Sequence, residues 1–163
     1  MRKVHLLLGG AERSLNRVIE ASVFDVCYNR AAVETTGAIR LGQFSRQGSL
    51  GSFDLMILIP ECLLPEPNLG GNHVPLDHAL ATVRTLKQQI STPLIILTAS
   101  AADQRLFLEA GADAVITEFF QTDRLKAELR RLLGFPEPTE AREMEGWSVA
   151  ALFFRGLQRL KRA

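Results

Sequence analysis

The chain has 163 residues, 47% hydrophobic and 23% charged, with a formal net charge of +1. That length suits one domain with a sizeable core, and the near-neutral balance excludes a global field that would draw in nucleic acid or an acidic substrate. Cys27 and Cys62 are too few for a disulfide framework or a four-thiolate zinc site, no apolar run approaches a membrane span, and MRKVHLLLGG lacks an adequate signal-peptide core, so a cytoplasmic protein is expected.

In chain order, Val4 to Leu8 reads as a buried strand that stops at Gly9-Gly10. A first helix follows with Leu15, Val18, Ile19 and Ser22 on its inner face, and Phe24 to Tyr28 reads as strand two. The stretch AAVETTGAIRLGQF suits either a Gly-interrupted helix or a hairpin about Thr36-Gly37; the alternation of the whole chain favours a short helix, with Gly48 to Ser52 as a loop. FDLMILI, Phe53 to Ile59, is the clearest central strand, and Pro60 ends it by lacking a ladder donor. Residues 60 to 74 form a long loop of the kind that is often functional. Pro75 opens a third helix lined by Leu76, Leu80, Val83, Leu86 and Ile90. Leu94 to Leu97 is another short buried strand, and Ser100 is the expected N-cap of a helix that buries Leu106, Phe107 and Ala110 and ends at Gly111. Ala112 to Ile116 is the fifth strand. Leu125, Leu129, Leu132 and Leu133 then mark an amphipathic fifth helix, closed by Gly134.

Strands alternating with helices predict a doubly wound parallel α/β sheet of five strands, in the order 2-1-3-4-5, over residues 1–134. The segment Leu97-Thr98-Ala99 and the later Glu109-Ala110-Gly111-Ala112-Asp113 resemble response-regulator receiver domains, whose strand four ends in Thr or Ser followed by Ala and whose fifth strand follows an Ala-Gly-Ala-Asp turn. The resemblance covers about residues 3 to 133 and implies the flavodoxin-like fold.

It also implies a site. A working receiver carries an acidic pair after strand one that holds magnesium, a phosphoacceptor Asp ending strand three, the strand-four Thr or Ser, and a Lys-Pro pair after strand five. In this chain those positions fall on Leu8 and Gly9, on Ile59, on Thr98, and on Glu118-Phe119, with Val115 at the family's aromatic switch position. Only Thr98 matches. Ile59 cannot act as a nucleophile, Glu61 could replace it only with a shifted strand end and a substitute for the metal, and Glu118 reverses the charge of the Lys. The resemblance is to a degenerate receiver: a signalling module in a two-component-type pathway that acts through contact with a signalling protein partner and holds no metal or cofactor. The alternative is a small-ligand or nucleotide sensor using the pocket around Gly9, Ile59 and Thr98.

Other candidates have plainer readings. Gly9-Gly10 lacks the wider pattern of a phosphate loop and suits a tight turn. His73, Asp77 and His78, with Cys62, show no recognised ligand spacing, and His5 sits within a strand. Thr98 and Ser100 have no His at another strand end to serve as base, so no enzymatic activity is expected. Beyond Gly134, FPEPTEAREMEG (residues 135–146) reads as an acidic linker and residues 147–163 as an added C-terminal helix. Val149, Leu152, Phe153, Gly156, Leu157 and Leu160 share one face; Trp147, Ala150 and Phe154 widen it; Arg155, Arg159 and Arg162 lie opposite. Trp147, Leu152, Phe153, Phe154, Leu157 and Leu160 are the expected contact residues. They suit packing on the same chain, a homodimer or other protein partner, or a membrane surface without spanning it, and a homodimer is the expected partnered form.

Overall fold

The computed structural model describes residues 1–68, 70–118 and 122–137. In chain order it contains β1 (Arg2–Gly9), α1 (Arg13–Cys27), β2 (Ala31–Ala38), α2 (Leu41–Leu50), β3 (Leu55–Leu58), a single 3-10 turn (Pro60–Cys62), α3 (Leu76–Gln89), β4 (Leu94–Leu97), a second such turn (Ala101–Asp103), α4 (Gln104–Glu109), β5 (Ala114–Ile116) and α5 (Thr122–Leu133). The five strands form one sheet in the order β2-β1-β3-β4-β5, every neighbouring pair parallel. This is the predicted doubly wound architecture. The expected helix over residues 147–163 lies outside the described residues.

Strand alternation divides the core into two layers. Val4, Leu6, Leu8, Leu55, Ile57, Ile59, Ile95 and Leu97 face α1 and α5, where Ile19, Val23, Leu125 and Leu129 meet them. Leu7, Met56, Leu58, Leu94 and Ile96 face the other way, onto Phe44, Leu80, Val83, Leu86 and Phe107. β3 is buried on both faces, as a central strand of a parallel sheet must be.

Strand two is displaced from its predicted place. Phe24 to Cys27 completes α1 with Tyr28 as its C-cap, because Ile19, Val23, Val26 and Cys27 recur at helical spacing and are buried, while Phe24 and Tyr28 are exposed. Val18, expected inside, is among the exposed residues of that helix. Asn29 makes the turn at φ 58°, a left-handed conformation Asn tolerates well. The ambiguous stretch is neither a hairpin nor one helix: Ala31–Ala38 is the edge strand and α2 follows, running through Gly48 to Leu50 where a loop was expected. At Gly48 a Cβ would lie 3.1 Å from the Met56 sulfur, so this glycine lets α2 lie close on the sheet.

The other differences are at ends. β3 is Leu55–Leu58 within the predicted Phe53 to Ile59, and β5 starts at Ala114. Pro75 is the N-cap of α3, with the helix proper starting at Leu76. Ser100 precedes a 3-10 turn and makes no side-chain cap bond; α4 itself starts at Gln104 and leaves Leu106 partly exposed. Gly111 turns at φ 109°, pressed against Lys87, and Asp113 then accepts hydrogen bonds from the Leu94 N–H (2.8 Å) and Lys87 Nζ (2.9 Å). The Ala-Gly-Ala-Asp turn is thus a structural clamp at the amino-terminal end of β4.

Candidate functional site

In a sheet of this order the carboxyl ends of β1, β3, β4 and β5 converge where β1 and β3 lie side by side. Leu8 and Ile59 both belong to the buried core there, and Ile59 is fully buried, its N–H donating to the Gly9 carbonyl at 2.8 Å. Gly9 has no room for a side chain: a Cβ would stand 2.6 Å from Cδ2 of Phe44 and 2.8 Å from Cδ1 of Leu58. A Cβ at Gly10 would meet Cδ1 of Ile59 at 3.1 Å. Apolar side chains therefore fill the bottom of the strand-end cleft.

A roof covers it. The Ala11 N–H donates to the Cys62 carbonyl at 2.6 Å, and the Gly10 N–H to that of Ala38 at 2.9 Å. Leu64 then runs parallel to Arg40, its N–H donating to the Ile39 carbonyl at 2.8 Å, and Arg40 Nε donates to the Pro65 carbonyl at 3.4 Å. Glu66 Oε1 accepts from the Gly42 N–H at 2.8 Å, placing its charge on the first turn of α2. The start of the long loop is thereby fastened across the ends of β1 and β2.

Thr98, 1% exposed, donates its hydroxyl to Glu61 Oε1, and the Ala99 N–H donates to the same oxygen at 2.9 Å. The Thr98 hydroxyl in turn accepts from the Ser100 N–H at 3.2 Å, a local turn that fixes the chain as it leaves β4, and neither the 3-10 turn nor α4 has a side-chain cap bond. Glu61 is exposed, but its Oε1 is engaged twice by the β4 end, which makes it a strut between two loops. Glu61 is the residue whose role sequence reasoning missed. The signal lay in the register: Leu58 pairs with Ile96, so the residues just after β3 lie beside those just after β4.

Of the five predicted site positions, Leu8, Gly9 and Ile59 are brought together, Thr98 faces Glu61, and Glu118 stands exposed beyond β5. Val115 is buried against the α3 and α4 side. Phe119 lies outside the described residues. Asp54, the other carboxylate of this strand region, is at the opposite end of β3, accepting from the His5 N–H at 2.8 Å. His5 itself lies 3.5 Å from Glu34, and His73 and His78 are exposed. Among the described residues no three His, Cys, Asp or Glu side chains are placed to share a metal ion. Two shallow grooves lie away from Ile59 and Thr98, one of about 420 Å³ between α1 and β2 and one of about 330 Å³ between α2 and α3.

The chain is similar to the Francisella response regulator 1452 receiver domain, at 20% identity and a TM-score of 0.59 over 80% of this chain and 97% of that one. It is also similar to the receiver domain of sensor histidine kinase PA1611 from Pseudomonas aeruginosa, a structure with magnesium coordinated in its active-site cleft, at 22% identity and a TM-score of 0.58 over 81% and 98%. The fold is that of response-regulator receiver domains. The chemotaxis response regulator CheY4 of Vibrio cholerae shares it at 17% identity and a TM-score of 0.57 over 80% and 99%. No family model matches the chain, and no curated protein matches it.

The residues present do not fit the magnesium ion that the receiver fold brings to mind. That ion takes near-octahedral oxygen ligands and is usually held through carboxylates. Here the β1 end offers Leu8 and a glycine with no space for a Cβ, the β3 end offers Ile59, and among the described residues no three His, Cys, Asp or Glu side chains stand together, Glu61 being bonded to Thr98.

Proposed function

We propose that this chain is a receiver-fold signalling module that accepts no phosphoryl group and regulates by protein contact within a two-component-type pathway, catalysing no reaction itself. The observation that carries this reading is the filled strand-end cleft: Ile59 is fully buried, and Gly9 is walled in by Phe44 and Leu58. A receiver fold with that cleft closed keeps its helical faces, and those faces are what a signalling partner can recognise. Residues 147–163 supply the main contact element, with Trp147, Leu152, Phe153, Phe154, Leu157 and Leu160 on its apolar arc, since aromatic residues are enriched at the energetic centres of interfaces. A small-ligand sensor is the weaker reading, because Leu8 and Ile59 are buried at the strand ends and the two grooves described lie elsewhere.

The test is incubation with acetyl phosphate and magnesium followed by intact-mass measurement. The mass is expected to stay unchanged. An acid-labile phosphoryl adduct mapped to Glu61 or Asp54 would sink the proposal.

A further inference from the structure

The Phe135 ring packs under the guanidinium groups of Arg2, at 5.1 Å, and Arg30, at 5.9 Å, and its N–H donates to the Arg130 carbonyl at 2.9 Å. Arg30 also reaches the Pro136 carbonyl at 3.5 Å. Pro136 therefore lies beside the α1–β2 turn, at Arg30, two positions after Tyr28. Phe24 and Tyr28 lie there on the outer face of α1, each 59% exposed, their rings edge-to-face at 6.0 Å. Between that face and the edge strand β2 runs the 420 Å³ groove lined by Glu20, Ala21, Phe24, Asp25, Val33 and Thr35. Its walls are apolar and its rim is acidic. Asp25 is paired with Lys126 at 2.8 Å, whereas Glu20 has no ion partner among the described residues.

We propose that residues 147–163 of the same chain dock in this groove, against Phe24 and Tyr28. This goes beyond the contact-module reading, resting on it only for the role of the terminal segment. Two features select the occupant. The segment carries Arg155, Arg159, Lys161 and Arg162 and no acidic residue, a complement to Glu20 and to Asp25, while its Trp147, Phe153 and Phe154 match the apolar walls. Residues 138–146 can also span up to about 30 Å, more than the roughly 22 Å length of α1, so the reach is ample. A tether that short holds the segment at millimolar effective concentration, which favours the same chain over a second copy at micromolar protein.

The full chain, treated briefly with trypsin, tests this by mass spectrometry of cleavage at Arg155, Arg159 and Lys161. Phe24→Ser combined with Tyr28→Ser, which removes both rings without adding charge, is expected to speed those cuts at least about tenfold, because cleavage tracks the undocked population and two aromatic contacts are lost. Glu20→Lys, an exposed change that leaves the core untouched, is expected to speed them by a smaller factor, and Leu50→Glu, on the distant α2, to leave them unchanged. Circular dichroism checks that each variant is folded. Equal cleavage in parent and all variants would overturn the proposal, as would protection that rises with protein concentration, which would assign the groove to a second copy. Neither outcome bears on phosphoryl transfer, so failure here is distinguishable from failure of the proposed function.

Discussion

Placing an Asp at residue 59 restores the acid that a working receiver carries there, and the structure predicts that the protein will not tolerate it. Ile59 is fully buried in the layer facing α1 and α5 and lies close to Gly10. Truncating a buried Ile costs about 2–5 kcal/mol, and an unpaired buried carboxylate adds several more unless it takes up a proton. Burial raises the folded-state pKa of the new Asp above the unfolded value of about 3.9, so the folded state holds more protons between those two values. Stability must then fall as pH rises through that window, by up to about 1.4 kcal/mol per pH unit. Urea unfolding of Ile59→Asp and the uncharged Ile59→Asn across that range separates the terms. Both should be destabilised at low pH, and only the Asp variant should lose further stability toward neutrality. An Asp variant as stable as the parent at neutral pH, or one that parallels the Asn variant throughout, would refute the closed-cleft reasoning.

Thr98→Val keeps the shape of the β4 end but removes the donor to Glu61, and should cost about 1–2 kcal/mol by urea unfolding, whereas Glu61→Gln, at an exposed residue, should cost less than about 1. Gly9→Ala should destabilise by about 1–3 kcal/mol in the same assay, since its Cβ meets Phe44 at 2.6 Å, and a neutral result would mean the cleft can expand. Burial raises the pKa of both cysteines, with nearby Glu61 and Glu12 adding to the rise at Cys62 and with Arg2 and Arg30 partly opposing it at Cys27. With Cys27 fully buried and Cys62 partly so, a disulfide reagent at mildly alkaline pH should label Cys62 slowly and Cys27 only on unfolding, and equal labelling of the two in folded protein would contradict this.

How much of this was legible depends on how each residue meets the core. β3, β4 and α5 could be read because burial on both faces produces unbroken apolar runs, as in Leu94 to Leu97, and burial on one face produces the spacing of Leu125, Leu129 and Leu133. β2 could not. As an edge strand it exposes Glu34 to Gly37 and carries small and polar residues, while Phe24 and Tyr28 on the outside of α1 imitate a strand's aromatic content. At the site, the departures at Leu8, Gly9, Ile59 and Glu118 are visible as residue types. The wall that Phe44 builds around Gly9 and the Glu61 strut to Thr98 are not, because both depend on which distant residues the crossovers bring together.

The most direct test of the closed cleft is an NMR titration of the full chain with magnesium and beryllofluoride, a mimic of the phosphoryl group, reading the backbone amides of Leu8, Gly9, Ile59, Thr98 and Ala99. The account predicts that these resonances stay in place beyond the uniform drift that salt causes. Saturable shifts confined to these amides would show a cleft that still binds metal and phosphoryl, and would contradict it.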